Sequence, residues 1–336
     1  MRFSWIILLS VLLVVRASAQ TDDLVPCAER PHALDQPWTQ PGLACLEEVF
    51  NDATFGVLAF AVLTVSDDGT LYAADPTTGN LYKFSDTDGD LLPDMPEILV
   101  GGLPRPTGLT FYDGAVYIAA QNSVFRYQNS VLETLIDTLP TQFGYWNGGI
   151  AVHDGRLYIG ATDSTIPCDA GDRSECGAVL SYTLDGTDRQ VVQNGLAQPY
   201  DLVFVDNTFW LTDTARDSIV NDTNLNFSLQ PDSTPLGIAH YNHDAIPSLT
   251  GKLLITLNGS FDSVNLTGYQ LLSFDPLTHA IIALMPFAGD ERYDNLQMNL
   301  RGSGFFPQRP LDVAVSPEGW VYISITDGRI LALRPN

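Results

Sequence analysis

Basic residues are scarce in this chain of 336 residues. It has 16 Lys and Arg against 40 Asp and Glu, which gives a formal net charge of −24 at pH 7. Such an excess of acid disfavours nucleic acid and an anionic membrane surface as partners, because both carry negative charge themselves. We therefore predict no nucleic-acid and no membrane partner. The composition suits a well-solvated exported protein and is compatible with cation binding.

Long hydrophobic runs are lacking after the first residues of the chain. The apolar run over residues 5–15 is shorter than the ~20 residues that cross a bilayer. Arg2 precedes it and Ala17-Ser18-Ala19 follows it, which is the pattern of a cleaved signal peptide. We predict a signal peptide over 1–19, an N-terminal segment over 20–50, a folded domain over 51–336, and a secreted, extracellular or periplasmic location. A retained membrane anchor is the alternative.

Cysteine is also rare, with four residues in the chain. In an exported protein four cysteines are most simply two disulfides, because that compartment is oxidising. Three pairings exist, and closeness in sequence favours Cys27 with Cys45 and Cys168 with Cys176. Neither pair has the spacing of a zinc ribbon, and no histidine lies near either pair, so a zinc site is disfavoured.

Several common catalytic motifs are missing. The chain has no Gly-x-Ser-x-Gly, no Walker-type loop and no His-Glu-x-x-His, which removes the usual hydrolase, nucleotide-binding and zinc-protease interpretations. It also lacks long apolar segments with the 3.6-residue period of a helix, so an α/β fold is disfavoured.

What the chain has instead is a repeat: an alternating apolar run, a turn, and then an aromatic residue among small or apolar ones. Six copies occur, with turn residues at 69, 114, 155, 207, 251 and 319. Each copy reads as a β-hairpin, because Asp-Gly and Asp-Asn tolerate the positive φ angles of tight turns. Most intervals match the ~40–50 residues of a four-stranded blade, and an insertion near 290–306 lengthens the last one. The repeat predicts an all-β, six-bladed β-propeller; an array of β-sandwiches is the alternative.

Specific segments resemble the glucose/sorbosone dehydrogenase family. They are GGLPRPTGL at 101–109, residues 113–119 and 125–127, residues 185–186 with 194–196, residues 211–213 with 216–217, residues 258–260, and QRPLDVAV at 308–315. The similarity covers most of residues 40–335 in order. It implies a secreted or periplasmic propeller that binds pyrroloquinoline quinone (PQQ) and Ca²⁺ and oxidises a sugar hydroxyl or aldehyde. In that family a histidine is the general base and arginines neutralise the carboxylates of the cofactor.

The chain departs from the family at three places in the implied pocket. Tyr145 stands where the resemblance places the histidine base, and tyrosine ordinarily has a pKa near 10. Ala197-Gln198 replaces an Arg-Asn pair, and the segment 218–221 replaces an acidic stretch at the calcium. Two hypotheses follow: a quinoprotein sugar dehydrogenase with an altered pocket, or a non-catalytic propeller that binds a carbohydrate, another small polar ligand or a protein.

The candidate site residues fall into four groups. Tyr145 is the candidate catalytic residue, and Trp146 and Asn147 beside it are candidates for stacking on and hydrogen-bonding to a sugar. A loop that plugs the mouth of the propeller is the alternative for these three residues. The candidate cofactor-binding residues are Arg309, Arg216, Asp213 and Asp217, for which ties between blades are the alternative. Carboxylates at alternate positions around a glycine can converge on a hard cation, so the candidate Ca²⁺ ligands are Asp86, Asp88, Asp90 and Asp94. A solvated acidic turn is the alternative there.

Overall fold

The computed structural model describes residues 26–34, 39, 42–52, 54–56, 58–89, 92–140, 148–162, 177–260, 267–285 and 308–335. Within these ranges the secondary structure is strands and two 3-10 helices, Cys27–Glu29 and Thr214–Arg216. No helix of the described chain has the length and apolar character that spanning a membrane requires.

The strands follow in chain order. They are β1 (Cys45–Asn51), β2 (Val62–Val65), β3 (Leu71–Asp75), β4 (Asn80–Phe84), β5 (Glu97–Val100), β6 (Gly108–Tyr112), β7 (Ala115–Ala119), β8 (Val124–Gln128), β9 (Val131–Ile136), β10 (Ile150–His153), β11 (Arg156–Thr162), β12 (Gly177–Thr183), β13 (Gln190–Leu196), β14 (Pro199–Val205), β15 (Thr208–Asp213), β16 (Ser218–Asn221), β17 (Asn226–Ser228), β18 (Pro235–Tyr241), β19 (Lys252–Leu257), β20 (Gln270–Phe274), β21 (Ile281–Met285), β22 (Pro310–Val315), β23 (Val321–Ile325) and β24 (Arg329–Arg334).

These strands form six antiparallel sheets of four strands each. Blades 1 to 5 are β2–β5, β6–β9, β10–β13, β14–β17 and β18–β21, and blade 6 has the order β1-β24-β23-β22. The first strand of each blade lies against the first strand of the next, and β22 lies against β2. The ring is therefore closed, and the predicted six-bladed β-propeller is confirmed.

Two predicted hairpin turns show why the repeat folds this way. Asp113 and Gly114 have φ angles of 50° and 73°, and Asp154 and Gly155 have 46° and 69°. Positive φ at both central residues is the requirement of a tight primed turn, which Asp-Gly meets at low cost. These turns lie on the lower face of the propeller, where the first strand of each blade ends. We call the opposite face, where the first strands begin, the upper face.

An N-terminal latch closes the ring. Strand β1 pairs with β24, so residues 45–50, assigned from sequence to the N-terminal segment, lie in blade 6. A disulfide joins Cys27 to Cys45, as predicted. Glu47 is 2% exposed and accepts hydrogen bonds from both Arg30 (2.8 Å) and Arg334 (2.9 Å). The latch thus combines a covalent tie with a buried ion triad.

The core consists of apolar layers between neighbouring blades rather than one central cluster. Blades 6 and 1 share such a layer, in which Phe50, Phe60 and Phe84 pack edge to face with ring centres 5.1–5.5 Å apart. A second layer joins blades 5 and 6 and contains Leu254 and Ile323, both fully buried. Burial of these layers between neighbouring blades holds the blades side by side around the axis.

Candidate functional site

A cavity of about 330 Å³ runs along the propeller axis. All six first strands, β2, β6, β10, β14, β18 and β22, line it. Most of the lining is aliphatic, but Asp201 of β14 and Asp312 of β22 bring carboxyl groups to it. Both aspartates are the third residue of their strand, so they lie toward the upper face. Thr64, Thr110 and His240 also line the cavity, and the two aspartates are its acidic residues.

Each axial aspartate ties its own blade to the next one. Asp201 accepts hydrogen bonds from the backbone N–H of Leu202 and of Ile238 in blade 5, both at 2.9 Å. Asp312 accepts from Val313 (2.8 Å) and from Leu63 in blade 1 (2.7 Å). The two carboxyl groups therefore hold the junctions between blades 4 and 5 and between blades 6 and 1.

Glycines make room for the axial acids. A Cβ on Gly149 would lie 1.9 Å from Oδ1 of Asp201, and a Cβ on Gly237 would lie 2.2 Å from Oδ1 of Asp312. In both cases the glycine stands at the corresponding position of the preceding blade. A glycine beside each axial aspartate is thus a steric requirement, because a side chain at either glycine would occupy the place of the carboxyl group.

Shifts in strand pairing occur where the axial aspartates lie. The pairing of β14 with β15, of β18 with β19 and of β22 with β23 shifts register just after the first proline of each blade. In each blade with an axial aspartate, the backbone N–H of that aspartate donates to a side-chain hydroxyl on the second strand of the blade. Asp201 donates to Thr212 (3.2 Å) and Asp312 donates to Ser324 (3.0 Å). In blades 4 and 6 a side-chain hydroxyl therefore satisfies the backbone N–H of the axial aspartate.

Burial raises the pKa of both axial acids. The pKa of Asp201 rises from 3.8 to about 6, because burial penalises the charge more than the N–H groups of Ile238 and Leu202 stabilise it. The pKa of Asp312 is raised well above 3.8 by burial and by the charge of Asp201. The same two carboxylates, together with burial, raise the pKa of Tyr200. Both acids therefore favour the neutral form more than an exposed aspartate does.

The stability of the protein should therefore depend on the protonation of Asp201. Its folded-state pKa lies above its ordinary value, so its contribution to stability is complete below pH 3.8 and is lost as the pH rises through about 6. A shift of this size corresponds to about 3 kcal/mol. We expect the free energy of unfolding of Asp201→Asn to fall less than that of the wild type between about pH 4 and pH 8, measured by urea unfolding.

Asp185 offers a matched control for this titration. It is exposed on the β12–β13 turn, and hydrogen bonds from Thr183 and Thr187 lower its pKa to about 2. Its contribution is lost only as the pH falls below 3.8, so Asp185→Asn should follow the wild-type profile above pH 4. Identical profiles for Asp201→Asn and the wild type would contradict the raised pKa of the axial acid.

The predicted cofactor residue Arg309 lies at the upper face, where it connects blade 6 to blade 5. Its Nη1 donates to the carbonyl oxygens of Asn258 (3.2 Å) and Gly259 (2.8 Å), and its Nη2 donates to that of Ser260 (2.8 Å). The guanidinium carbon lies 4.7 Å from the ring centre of Tyr269. Arg309 thus caps three successive carbonyl groups of the β19–β20 connection.

Asp213, Arg216 and Asp217 also hold loops at the upper face. Asp213 is fully buried and accepts hydrogen bonds from the backbone of 197 and 198 at 2.9 and 2.8 Å. Arg216 donates to the carbonyl oxygen of Gly195 (2.8 Å) and lies 3.7 Å from Asp213. Asp217 accepts from the backbone of Asp232 and of residue 234, both at 2.8 Å. A role of these residues with a cofactor stays a prediction.

The predicted calcium loop is on the lower face, between β4 and β5. Asp86 accepts from the backbone of Gly89 (2.8 Å), and Asp94 accepts from the backbone and hydroxyl of Thr87 at 2.7 and 2.5 Å. Asp88 is exposed, and Asp90 lies outside the described residues. Within the described ranges no three acidic, histidine or cysteine side chains come close enough to hold a metal ion. Calcium binding by this loop stays a prediction.

Other predicted residues fall outside the described ranges. These are Tyr145, Trp146 and Asn147, which follow β9, the pair Cys168 and Cys176, which lies between β11 and β12, and the insertion near 290–306. The described strand ends on either side, Ile136 and Ile150, lie at the upper face.

Asp201 and Asp312 were not among the residues predicted from the sequence. A signal for them exists: Pro199-Tyr200-Asp201-Leu202 and Pro310-Leu311-Asp312-Val313 place an acid in an otherwise apolar first strand. Blades 2 and 5 have glycine at that position, in Pro106-Thr107-Gly108-Leu109 and Pro235-Leu236-Gly237-Ile238. A comparison of the repeats at this one position would have singled out both acids.

Comparison with known proteins gives the fold. A family model described as strictosidine synthase-like, N-terminal, matches residues 308–333, which is most of blade 6. No curated protein sequence matches the chain. Solved structures do match it in fold.

The first is the calcium structure of a family AA12 carbohydrate-active enzyme from Trichoderma reesei, with a TM-score of 0.63 and 13% identity over 91% of this chain and 100% of that one. The second is a gluconolactonase from Xanthomonas campestris, with a TM-score of 0.60 and 13% identity over 91% and 99%. The third is the holo PQQ domain of pyranose dehydrogenase from Coprinopsis cinerea, with a TM-score of 0.60 and 11% identity over 90% and 99%. The chain is thus similar to propellers with different activities, and membership of the glucose/sorbosone dehydrogenase family stays a prediction.

Proposed function

We propose that this protein is an exported, non-catalytic propeller that binds a carbohydrate or another small polar ligand at its upper face. The observation that carries the proposal is the set of contacts of Arg309. A carboxylate clamp needs two parallel N–H donors directed at the ligand. Both terminal nitrogens of Arg309 donate instead to carbonyl groups of residues 258–260. Binding of the PQQ carboxylates by this residue would require breaking those bonds.

The other cationic residue of the predicted cofactor site supports the same interpretation. Arg216 donates to the carbonyl oxygen of Gly195 and lies against Asp213. Among the described residues of the upper face, both arginines therefore hold loops of neighbouring blades together. They do not fit the cofactor-neutralising role that the family resemblance implies, so we derive no redox step through PQQ.

An exported location is part of the proposal. The predicted signal peptide supports it, and so does the disulfide between Cys27 and Cys45, because disulfides persist in oxidising compartments. The acidic composition suits a solvated protein outside the cytoplasm.

Sugar oxidation with PQQ and Ca²⁺ is the second candidate function. It is favoured by the fold that the chain shares with the PQQ domain of pyranose dehydrogenase and with the AA12 enzyme. In this candidate Tyr145 would replace the histidine base of the family. The two candidates differ in one requirement, since only the enzyme needs cationic groups directed at the quinone.

Saturation-transfer NMR with a panel of mono- and oligosaccharides tests the proposed function. We expect at least one sugar to bind to the metal-free protein, and we expect Trp146→Ala and Asn147→Ala to abolish that signal, because an aromatic face and an amide are the predicted sugar contacts. Tyr112→Ala is the matched control, since Tyr112 is an exposed aromatic residue at the end of β6 on the lower face. No binding across the panel, or equal binding by all variants, would sink the proposal.

A further inference from the structure

A second cavity lies on the lower face, at the junction of blades 6 and 1. Its volume is about 370 Å³. The β2–β3 turn, the end of β4, the β4–β5 loop and the β22–β23 hairpin line it. We call it the junction cleft. It is remote from the upper face, so it is separate from the ligand site proposed there.

Aromatic rings form one wall of the junction cleft. Trp320 and Tyr322 come from β23 and its turn, and Phe84 comes from the end of β4. The ring centres of Trp320 and Tyr322 are 6.3 Å apart. Phe84 and Tyr322 are buried, whereas Trp320 is half-buried, so its indole is the ring that a ligand can reach.

The indole of Trp320 already binds a cation on one face. The guanidinium carbon of Arg334 lies 4.1 Å from the ring centre, within the range of a cation–π contact. Arg334 does not line the junction cleft, so the cleft is bounded by Trp320 and not by this guanidinium. The contact shows that the indole is placed to attract positive charge.

Carboxylates form the rim of the junction cleft. Asp68 and Glu318 face it from the turns of blades 1 and 6, and both are exposed. The described residues place no ion-pair partner within 4 Å of either carboxylate. Hydrogen bonds from Ser66 and Thr70 lower the pKa of Asp68, and the charge of Lys83 lowers it slightly further, so Asp68 is ionised at neutral pH. The rim is therefore negatively charged.

We propose that the junction cleft binds an alkylammonium group, with the apolar part of the ligand against Trp320 and the charge between Asp68 and Glu318. An aromatic face and nearby carboxylates attract the same positive charge, and the attraction increases when the cation is partly desolvated in a cleft. A neutral sugar would stack on the indole but would not be attracted by the charge of the carboxylates. A hard metal ion would bind the carboxylates but not the indole.

Isothermal titration calorimetry of the whole mature protein tests this proposal with four probes. Choline represents a free quaternary amine, and Nα-acetyl-lysine amide represents a lysine side chain of a partner protein. Glucose and CaCl₂ are the comparison probes. We expect at least one ammonium probe to bind with saturation and to weaken as ionic strength rises, because the rim carboxylates are exposed to salt. The ammonium probe that binds more tightly indicates whether the natural ligand is a free quaternary amine or a lysine side chain of a partner protein.

Three variants complete the test. Trp320→Leu and Glu318→Gln should each weaken binding of the ammonium probe about tenfold, which corresponds to the loss of one cation–π contact or one charged contact. Glu97→Gln is the matched control, because Glu97 is an exposed acid on β5 of blade 1 that does not line the cleft. Unchanged thermal unfolding of Glu318→Gln separates lost binding from misfolding.

The outcomes are distinct. Saturable binding of choline or the lysine amide that Glu318→Gln weakens and Glu97→Gln leaves intact supports the proposal. Binding of glucose or Ca²⁺ without binding of either ammonium probe overturns it, as does ammonium binding that is equal in all three variants. Because the sugar site is proposed for the opposite face, loss of one site leaves the other measurable.

Discussion

Glu47→Gln should lower the free energy of unfolding by about 3–5 kcal/mol, the usual cost of breaking a buried ion pair by removing one partner. Glu47 is the shared anion of the N-terminal latch, bonded to Arg30 at 2.8 Å and to Arg334 at 2.9 Å. The side chains of the two arginines are only 7% and 10% exposed. Glutamine keeps the shape of the side chain but leaves two buried guanidinium groups without their counter-charge. Urea unfolding at neutral pH measures the difference.

Glu48→Gln is the matched control, one residue further along β1. Glu48 pairs with Arg329 at 3.0 Å, but both side chains are 24% exposed. We expect a loss of less than about 1 kcal/mol, because ion pairs in contact with solvent contribute little. Equal and small effects of the two substitutions would contradict the account of the latch as a buried triad.

Gly237→Ala should be the most damaging change at the axis. A Cβ there would lie 2.2 Å from Oδ1 of Asp312, 2.7 Å from its Cα and 3.0 Å from the backbone nitrogen of Val313. Two of these three atoms belong to the backbone, so a change of rotamer cannot relieve the contact. The strand β22 must move, which also disturbs the 2.7 Å hydrogen bond from Leu63 to Asp312. We expect a loss of about 3 kcal/mol or more in unfolding free energy, at the upper end of overpacking effects.

Gly56→Ala is the corresponding control. Gly56 is exposed, and a Cβ on it would meet no atom within 4 Å. Surface substitutions of this kind change stability by less than about 0.5 kcal/mol. Wild-type stability in Gly237→Ala would show that blades 5 and 6 do not approach each other at the axis as closely as described here.

The architecture could be predicted because it rests on local signals. Asp113-Gly114 and Asp154-Gly155 specify their turns by backbone preference alone, and the strands before them are mostly apolar and are buried or half-buried over most of their length. Strand β1 lacks such a signal. Its partner β24 lies at the other end of the chain, so no turn in the sequence marks the pairing of Cys45 with Arg334.

The candidate site was harder to predict, because its chemistry depends on which blades become neighbours. The sequence identified Arg309 as a cation near the start of β22. The three carbonyl groups that it contacts belong to blade 5, 49–51 residues away. The axial acids were missed for the same reason, since burial of Asp201 and Asp312 arises only when the ring closes. Local sequence thus gave Arg309 without its role, and only the tertiary contacts drew attention to the two axial acids.

Calorimetric titration of the metal-stripped protein with PQQ, with and without Ca²⁺, distinguishes the proposed binding propeller from a sugar dehydrogenase. We expect no saturable heat with the quinone in either condition, because Arg309 and Arg216 are engaged by carbonyl groups of neighbouring loops. Saturable PQQ binding that depends on Ca²⁺, followed by dye reduction with an aldose, would contradict the proposed function. It would establish the sugar dehydrogenase instead and make Tyr145→Phe the variant with which to examine its base.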